Sequence, residues 1–233
     1  MKKSEKIMLA VNGAVIAAIF VLNYFYQSNG FDFTLKCICS GGFALLGLLN
    51  LGYALLTRRQ GKRFFVWMAA GLVLAMLGDV LIGYDFIVGA ATFALGHVCF
   101  FTAYCFLQRI RSRDLVISGV LFAGTVVFLL FFPLLRFDPP ILRAVCILYA
   151  LIISAMLGKA IGNLVHGRSA LTGTVAVASA LFFFSDLMLV LDRFVGRWSW
   201  TDHACMGTYY PALCLLALSM LLLKTDPHQG ESI

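Results

Sequence analysis

Charged residues are scarce in this chain: they make up 12% of 233 residues, against 61% that are hydrophobic. A soluble domain carries about a quarter of its residues as charges, so an ordinary water-exposed surface is excluded. The mean hydropathy of +0.93 points the same way. Proline is also rare, at five residues, and the long apolar stretches read as unbroken in their middles. Cysteine is present seven times but without a metal or disulfide pattern. Cys37 and Cys39 are too close together, and Cys99, Cys105, Cys146, Cys205 and Cys214 lie singly in apolar surroundings, where cysteine packs as a small hydrophobe.

What the chain has instead is apolar runs of membrane-crossing length. A span needs about 17–25 such residues. Runs of this kind cover about 7–26, 36–56, 64–82, 86–107, 114–132, 141–157, 171–191 and 203–223. In lipid every backbone polar group must be satisfied internally, and continuous runs of this length do so as helices. The expected fold is therefore an all-α membrane protein of eight transmembrane helices, a single integral domain over 1–233 with a solvated tail at 224–233. The basic start Met1-Lys2-Lys3-Ser4-Glu5-Lys6 resembles that of a signal peptide, but no small-residue cleavage site follows, so the first span reads as retained.

The net charge of +7 is distributed unevenly over the loops. Lys2, Lys3, Lys6, Arg58, Arg59, Lys62, Arg63, Arg109, Arg111, Arg113, Lys159, Arg168 and Lys224 fall on one side. Only Lys36, Arg136, Arg143, Arg193 and Arg197 fall on the other. The positive-inside rule then sends both termini to the cytoplasm. The basic runs are short and lie beside spans, so they fit anionic headgroups and argue against a nucleic-acid partner.

Against this apolar background two acids stand out. Asp79 and Asp186 lie inside spans, in the matching contexts Gly78-Asp79-x5-Asp85-Phe86 and Ser185-Asp186-x5-Asp192-Arg193-Phe194. An acid in hydrocarbon costs about 3 kcal/mol or more, and so marks function by default. The chain also carries a faint duplication. A shift of 107 puts Lys36 on Arg143, Cys39 on Cys146 and Asp79 on Asp186; a shift of 106 puts His97 on His203 and Tyr104 on Tyr210. Two parallel four-helix halves, 1–110 and 111–233, would bring the third and seventh spans across the centre from one another, with their acids close.

Helix faces give both acids a protein environment. Gly71, Ala75, Asp79 and Gly83 form a small-residue stripe, and Thr172, Ser179, Asp186 and Arg193 form a polar seam. The seam favours a charged Asp186, and the apolar setting a neutral Asp79. His97 sits near the middle of its span, as a structural donor or a proton carrier. Lys36 and Arg143 open their spans and either snorkel to headgroups or grip a phosphate.

At these residues the chain resembles the YhhN-type lysoplasmalogenase family of multi-span membrane enzymes. The matching segments are Lys36, Gly71-Leu72-x5-Gly78-Asp79-x-Leu81, Gly89-x3-Phe93-x2-Gly96-His97, Tyr149 with Met156, Phe184-Ser185-Asp186 with Arg193-Phe194, and Tyr209-Tyr210. They run from about residue 33 to 218. Phe100 stands where the family pattern has Tyr, and Pro211-Ala212 where a glutamine tends to occur. The resemblance implies hydrolysis of the vinyl-ether bond of lysoplasmalogens to a fatty aldehyde and a glycerophospho-base. It implies Asp79 and Asp186 as catalytic acid and base, with Lys36, His97, Arg143, Tyr149, Ser185, Arg193 and Tyr210 supporting or binding substrate. No metal or cofactor is implied. The partners would be a lysophospholipid and membrane lipids, and the location a membrane, the cytoplasmic one in a bacterium. The head would lie toward Lys36 and Arg143 at the non-cytoplasmic side, and the chain would pass Phe182, Phe183 and His97. Two other classes compete. A metal-dependent intramembrane amidase would use Asp79, His97, Asp186 and His203, though no His-x3-His spacing exists. A proton-coupled transporter would use central acids in duplicated halves.

Overall fold

Each apolar run becomes one helix, and charged or turn-forming residues set the ends. The computed structural model describes residues 3–57, 59–196 and 200–223. Lys2, Arg58, Arg197, Lys224 and the tail 224–233, all used in the topology reading above, lie outside the described residues. The helices are α1 (Lys3–Ser28), α2 (Phe33–Leu56), α3 (Lys62–Leu81), α4 (Phe86–Leu107), α5 (Ser112–Phe131), α6 (Ile141–His166), α7 (Ala170–Val195) and α8 (Thr201–Leu222). All eight are long and apolar enough to cross a membrane, which makes this a multi-pass membrane protein.

Local chemistry explains several of the ends. Asp32 caps α2 by accepting from the Leu35 amide at 2.9 Å, and Asp85 caps α4 by accepting from the Val88 amide at 2.8 Å. Ser169 caps α7 in the same way. α6 runs nine residues past its expected end, through Lys159. Lys159 is not a loop cation. It is buried, and its ammonium donates to the Asp114 carboxylate at 2.7 Å and to the Arg109 carbonyl at 3.0 Å. Proline does enter one span: Pro211 lies inside α8, contrary to the reading of unbroken spans. A transmembrane helix tolerates this because neighbouring groups take up the freed carbonyl.

Packing centres on α2, α3, α4, α6, α7 and α8. α3 packs on α4, α7 on α8, α2 on α3 and α8, and α6 on α4 and α7. α1 and α5 are peripheral: α1 leans on α2 and α8, and the backbone of α5 comes close only to α6. Small residues permit the closest approaches. Gly71 lies under the Phe100 ring, Gly78 under Phe93, and Gly158 and Gly162 against Ser118 and Asp114. Away from the carboxylates, Asn12 of α1 and Asn50 of α2 exchange two hydrogen bonds of 2.9 Å. Asn50 also donates to the Ala217 carbonyl of α8 at 2.8 Å.

Candidate active site

Asp79 is in the last turn of α3 and is buried. Three groups hold it. The Lys36 ammonium of α2 is 3.1 Å from Oδ1, and on Oδ2 it meets the Ser40 hydroxyl and, at the long distance of 3.5 Å, the Tyr210 hydroxyl of α8. Lys36 and Ser40 are four residues apart, so one face of α2 presents both. Ser40 went unread in the sequence, although that spacing from Lys36 was its signal.

Asp186 lies in α7 and is also buried. Its Oδ2 accepts from the Tyr149 hydroxyl of α6 at 2.8 Å and lies 3.2 Å from His97 Nε2 of α4. The same imidazole nitrogen is 2.7 Å from the Tyr149 oxygen, so the three side chains close a triangle. Because the tyrosine donates to the carboxylate, its oxygen is free to accept from His97. His97 Nδ1 faces the Met156 sulfur at 3.3 Å, and the ring packs on Phe182 with centroids 4.6 Å apart.

These are not the neighbours that the helix faces suggested. Ser179 bonds the Tyr104 hydroxyl at 3.0 Å instead of Asp186. Arg193 is exposed, with its guanidinium over the Phe86 ring. Asp79, read as isolated among aliphatic residues, has a lysine. Arg143 does not join Lys36: its guanidinium lies over Phe137, and it lines neither cavity described next. Ser185 lies beside Cys205, 3.4 Å between oxygen and sulfur, and both face the cavity that holds the acids.

Two cavities meet at these residues. One carries the charged groups: it is lined by Lys36, Asp79, Ser185, Asp186, Cys205 and Tyr209 among others, and has about 30 Å³, room for a water or two. The other is apolar, has about 50 Å³, and lies among α4, α5, α6 and α7. Ile82, Phe93, Asp186 and Leu189 belong to both walls. Tyr149 and Phe183 line the apolar groove, whereas Phe182 and His97 are fully buried behind it. Among the described residues no three of His, Cys, Asp or Glu converge as a metal site, and His203 instead bonds Gln27 at 2.8 Å.

Fold and site together define a class: a multi-pass helical membrane protein with two buried carboxylates facing one internal cavity and an apolar groove running up to one of them. The chain belongs to the YhhN family, whose sequence model matches residues 40–220. It is similar to lysoplasmalogenase TMEM86B of Rattus norvegicus, 32% identical over 162 residues that cover 67% of this chain and 63% of that protein. The Mus musculus protein of the same name is 32% identical over 160 residues, covering 66% of this chain and 64% of its own length. The matched region thus spans a little under two thirds of these relatives. No solved structure matches the chain significantly.

Proposed function

We propose that this protein is a lysoplasmalogenase, hydrolysing the vinyl-ether bond of an alkenyl-glycerophospholipid that carries one chain. The observation that carries the reading is the meeting of the two cavities at Asp186. A vinyl ether joins a hydrocarbon chain to a polar glycerol, and Asp186 stands between an apolar groove and a cavity lined by Asp79 and Lys36. The chain occupies the groove, the alkene lies beside Asp186, the small cavity between the acids holds the reacting water, and the glycerol end points toward Asp79 and Lys36. The names of the relatives support this chemistry, which this chain is proposed to share.

The surroundings of the acids suggest a division of labour opposite to that read from the sequence. Asp79, with an ammonium at 3.1 Å, is suited to act as the carboxylate. Asp186, whose Oδ2 is taken by Tyr149 and His97, is suited to present a proton on its other oxygen. In the first step Asp186 gives that proton to the alkene carbon distal to the ether oxygen, and the other carbon becomes an oxocarbenium ion. Water adds to this carbon and passes a proton to Asp79, leaving a hemiacetal. In the last step Asp79 returns its proton to the departing glycerol oxygen as the C–O bond breaks. The hemiacetal hydroxyl gives its proton to Asp186, and an aldehyde is released. Both acids end as they began. Glycosidases divide an oxocarbenium-like reaction between two carboxyl groups in a comparable way.

The helix neighbours also support the proposed 4+4 repeat. α2 against α8 matches α6 against α4, and α3 against α4 matches α7 against α8. The test of the function is direct. Detergent-purified protein incubated with a lysoplasmalogen is expected to release long-chain aldehyde, detected by mass spectrometry. Absence of aldehyde from folded protein, under conditions where a lysoplasmalogenase control works, would sink the reading.

A further inference from the structure

α5 is the least integrated helix of the bundle beside α1, and its few buried residues are divided in an informative way. Only Asp114, Thr125 and Leu129 are buried on it. Asp114 is at one end, in the ion pair with Lys159. Gly162 lets that carboxyl lie directly on α6, and Gly158 does the same for Ser118. This end is fastened. Thr125 and Leu129 lie toward the other end, Leu129 about 22 Å along the helix from Asp114. Both line the apolar groove that reaches Asp186. The Thr125 hydroxyl donates to the Leu121 carbonyl of its own helix at 2.9 Å, so it needs no polar partner in the groove.

One face of α5 points outward and is apolar: Val116, Val120, Val127 and Phe131 are each more than half exposed. In a membrane such a face meets lipid. One helix thickness therefore separates the bilayer from the groove, and the backbone of that helix comes close only to α6. At the groove end side chains reach further: Phe128, and Phe132 just past the helix, pack against a cluster of Met188 and Leu191 of α7 and Cys205 of α8. Its contacts are fixed where it is pinned by charge and glycine, and are side-chain contacts where it borders the groove.

We propose that α5 is the lateral wall through which the hydrocarbon chain of the substrate enters from the bilayer, and that Thr125 and Leu129 select that chain. The proposal rests on the lysoplasmalogenase reading and adds to it the residues that set chain specificity. The occupant is a single alkenyl chain, because the groove is apolar along its length and ends at the acid that meets the alkene. The pinned end keeps α5 in register on α6 while the groove end yields to the entering chain. Thr125 bonds within its own helix and Leu129 is apolar, so changes there alter which chain is accepted and leave the acids' hydrogen bonds untouched.

The experiment compares two alkenyl lysophospholipids with the same headgroup, one with a long chain of membrane type and one with a short chain that stays soluble. Leu129→Trp fills the groove. It is expected to lower kcat/KM for the long-chain substrate by about tenfold or more, in line with what hydrophobic pockets discriminate, while hydrolysis of the short-chain substrate stays at the wild-type rate. Leu129→Ala, which only removes atoms, tests the same site should the tryptophan variant fail to fold, and is expected to move the preference toward longer chains. Val120→Trp, on the outward face, is expected to match wild type on both substrates. If the Leu129 variants keep the wild-type ratio between the two substrates, or lose both activities in parallel, the assignment of α5 is overturned while the hydrolase reading stands. If wild-type protein releases aldehyde from neither chain length, the hydrolase reading fails and the chain-selecting role fails with it.

Discussion

The two buried carboxylates are held by the same frame and given different company. Asp79 is contacted from α2 and α8, and Asp186 from α6 and α4, helices that correspond to one another if the chain is two similar halves. Onto these matching positions the sequence has put a lysine and a serine in one half, and a tyrosine and a histidine in the other. The two acids thus reach one cavity from corresponding directions but with unlike neighbours, and the proposed acid–base reaction requires unlike groups.

The comparison can be broken most severely at the acids themselves. Asp79→Asn and Asp186→Asn are each expected to reduce turnover at least 10²-fold with the fold intact, the usual loss when a positioned acid or base is removed. Near wild-type aldehyde release from either variant would reduce that acid to a structural bond. Next in size is Lys36→Met, which leaves a carboxylate of 4% side-chain exposure without its counterion. The expected cost is about 3 kcal/mol of stability, because one member of a buried pair is removed and the other stays charged. Thermal unfolding in detergent checks this, and adding Asp79→Asn to the same chain should recover most of the loss. The corresponding change at Asp186 should not help.

Tyr149→Phe sharpens the other half of the comparison. It deletes one hydroxyl that bonds both Asp186 and His97, so kcat should fall by about tenfold, the worth of one hydrogen bond that strengthens as Asp186 gives up its proton and becomes charged. Melting temperature should change less than in Lys36→Met. The smallest effect is expected at Arg143, which lies over Phe137 away from both cavities. Arg143→Gln should leave KM for lysophospholipid within about twofold of wild type, in keeping with the small energies of exposed charges. A large rise in KM would return Arg143 to a headgroup role.

Much of this molecule was legible because lipid imposes strong rules. Eight apolar runs gave eight helices, and two acids where charge is costly are the two that face the cavity. What escaped the sequence lies between helices. Lys36 is 43 residues from Asp79, and His97 is 89 from Asp186; nothing in local periodicity says which way two helices turn toward each other. The seam on α7 was real as far as Thr172, Ser179 and Asp186, all buried, but it pointed Ser179 at Tyr104 and ended in an exposed Arg193. Lys159 was misjudged for a related reason. It looks like a charge at a span end, and its burial against Asp114 lets α6 continue past it.

The asparagine pair between α1 and α2 has a consequence for biogenesis. Asn50 can bond Asn12 as soon as α1 and α2 have both emerged, but its bond to the Ala217 carbonyl must await α8, which is made after the other helices. Tyr210, which reaches toward Asp79, arrives on that same span. The Asp186 triangle draws only on α4, α6 and α7, and can assemble while α8 is still being translated. A nascent chain in the translocon would thus carry one finished acid and one unfinished one, and the cavity between them would close only when translation has delivered α8.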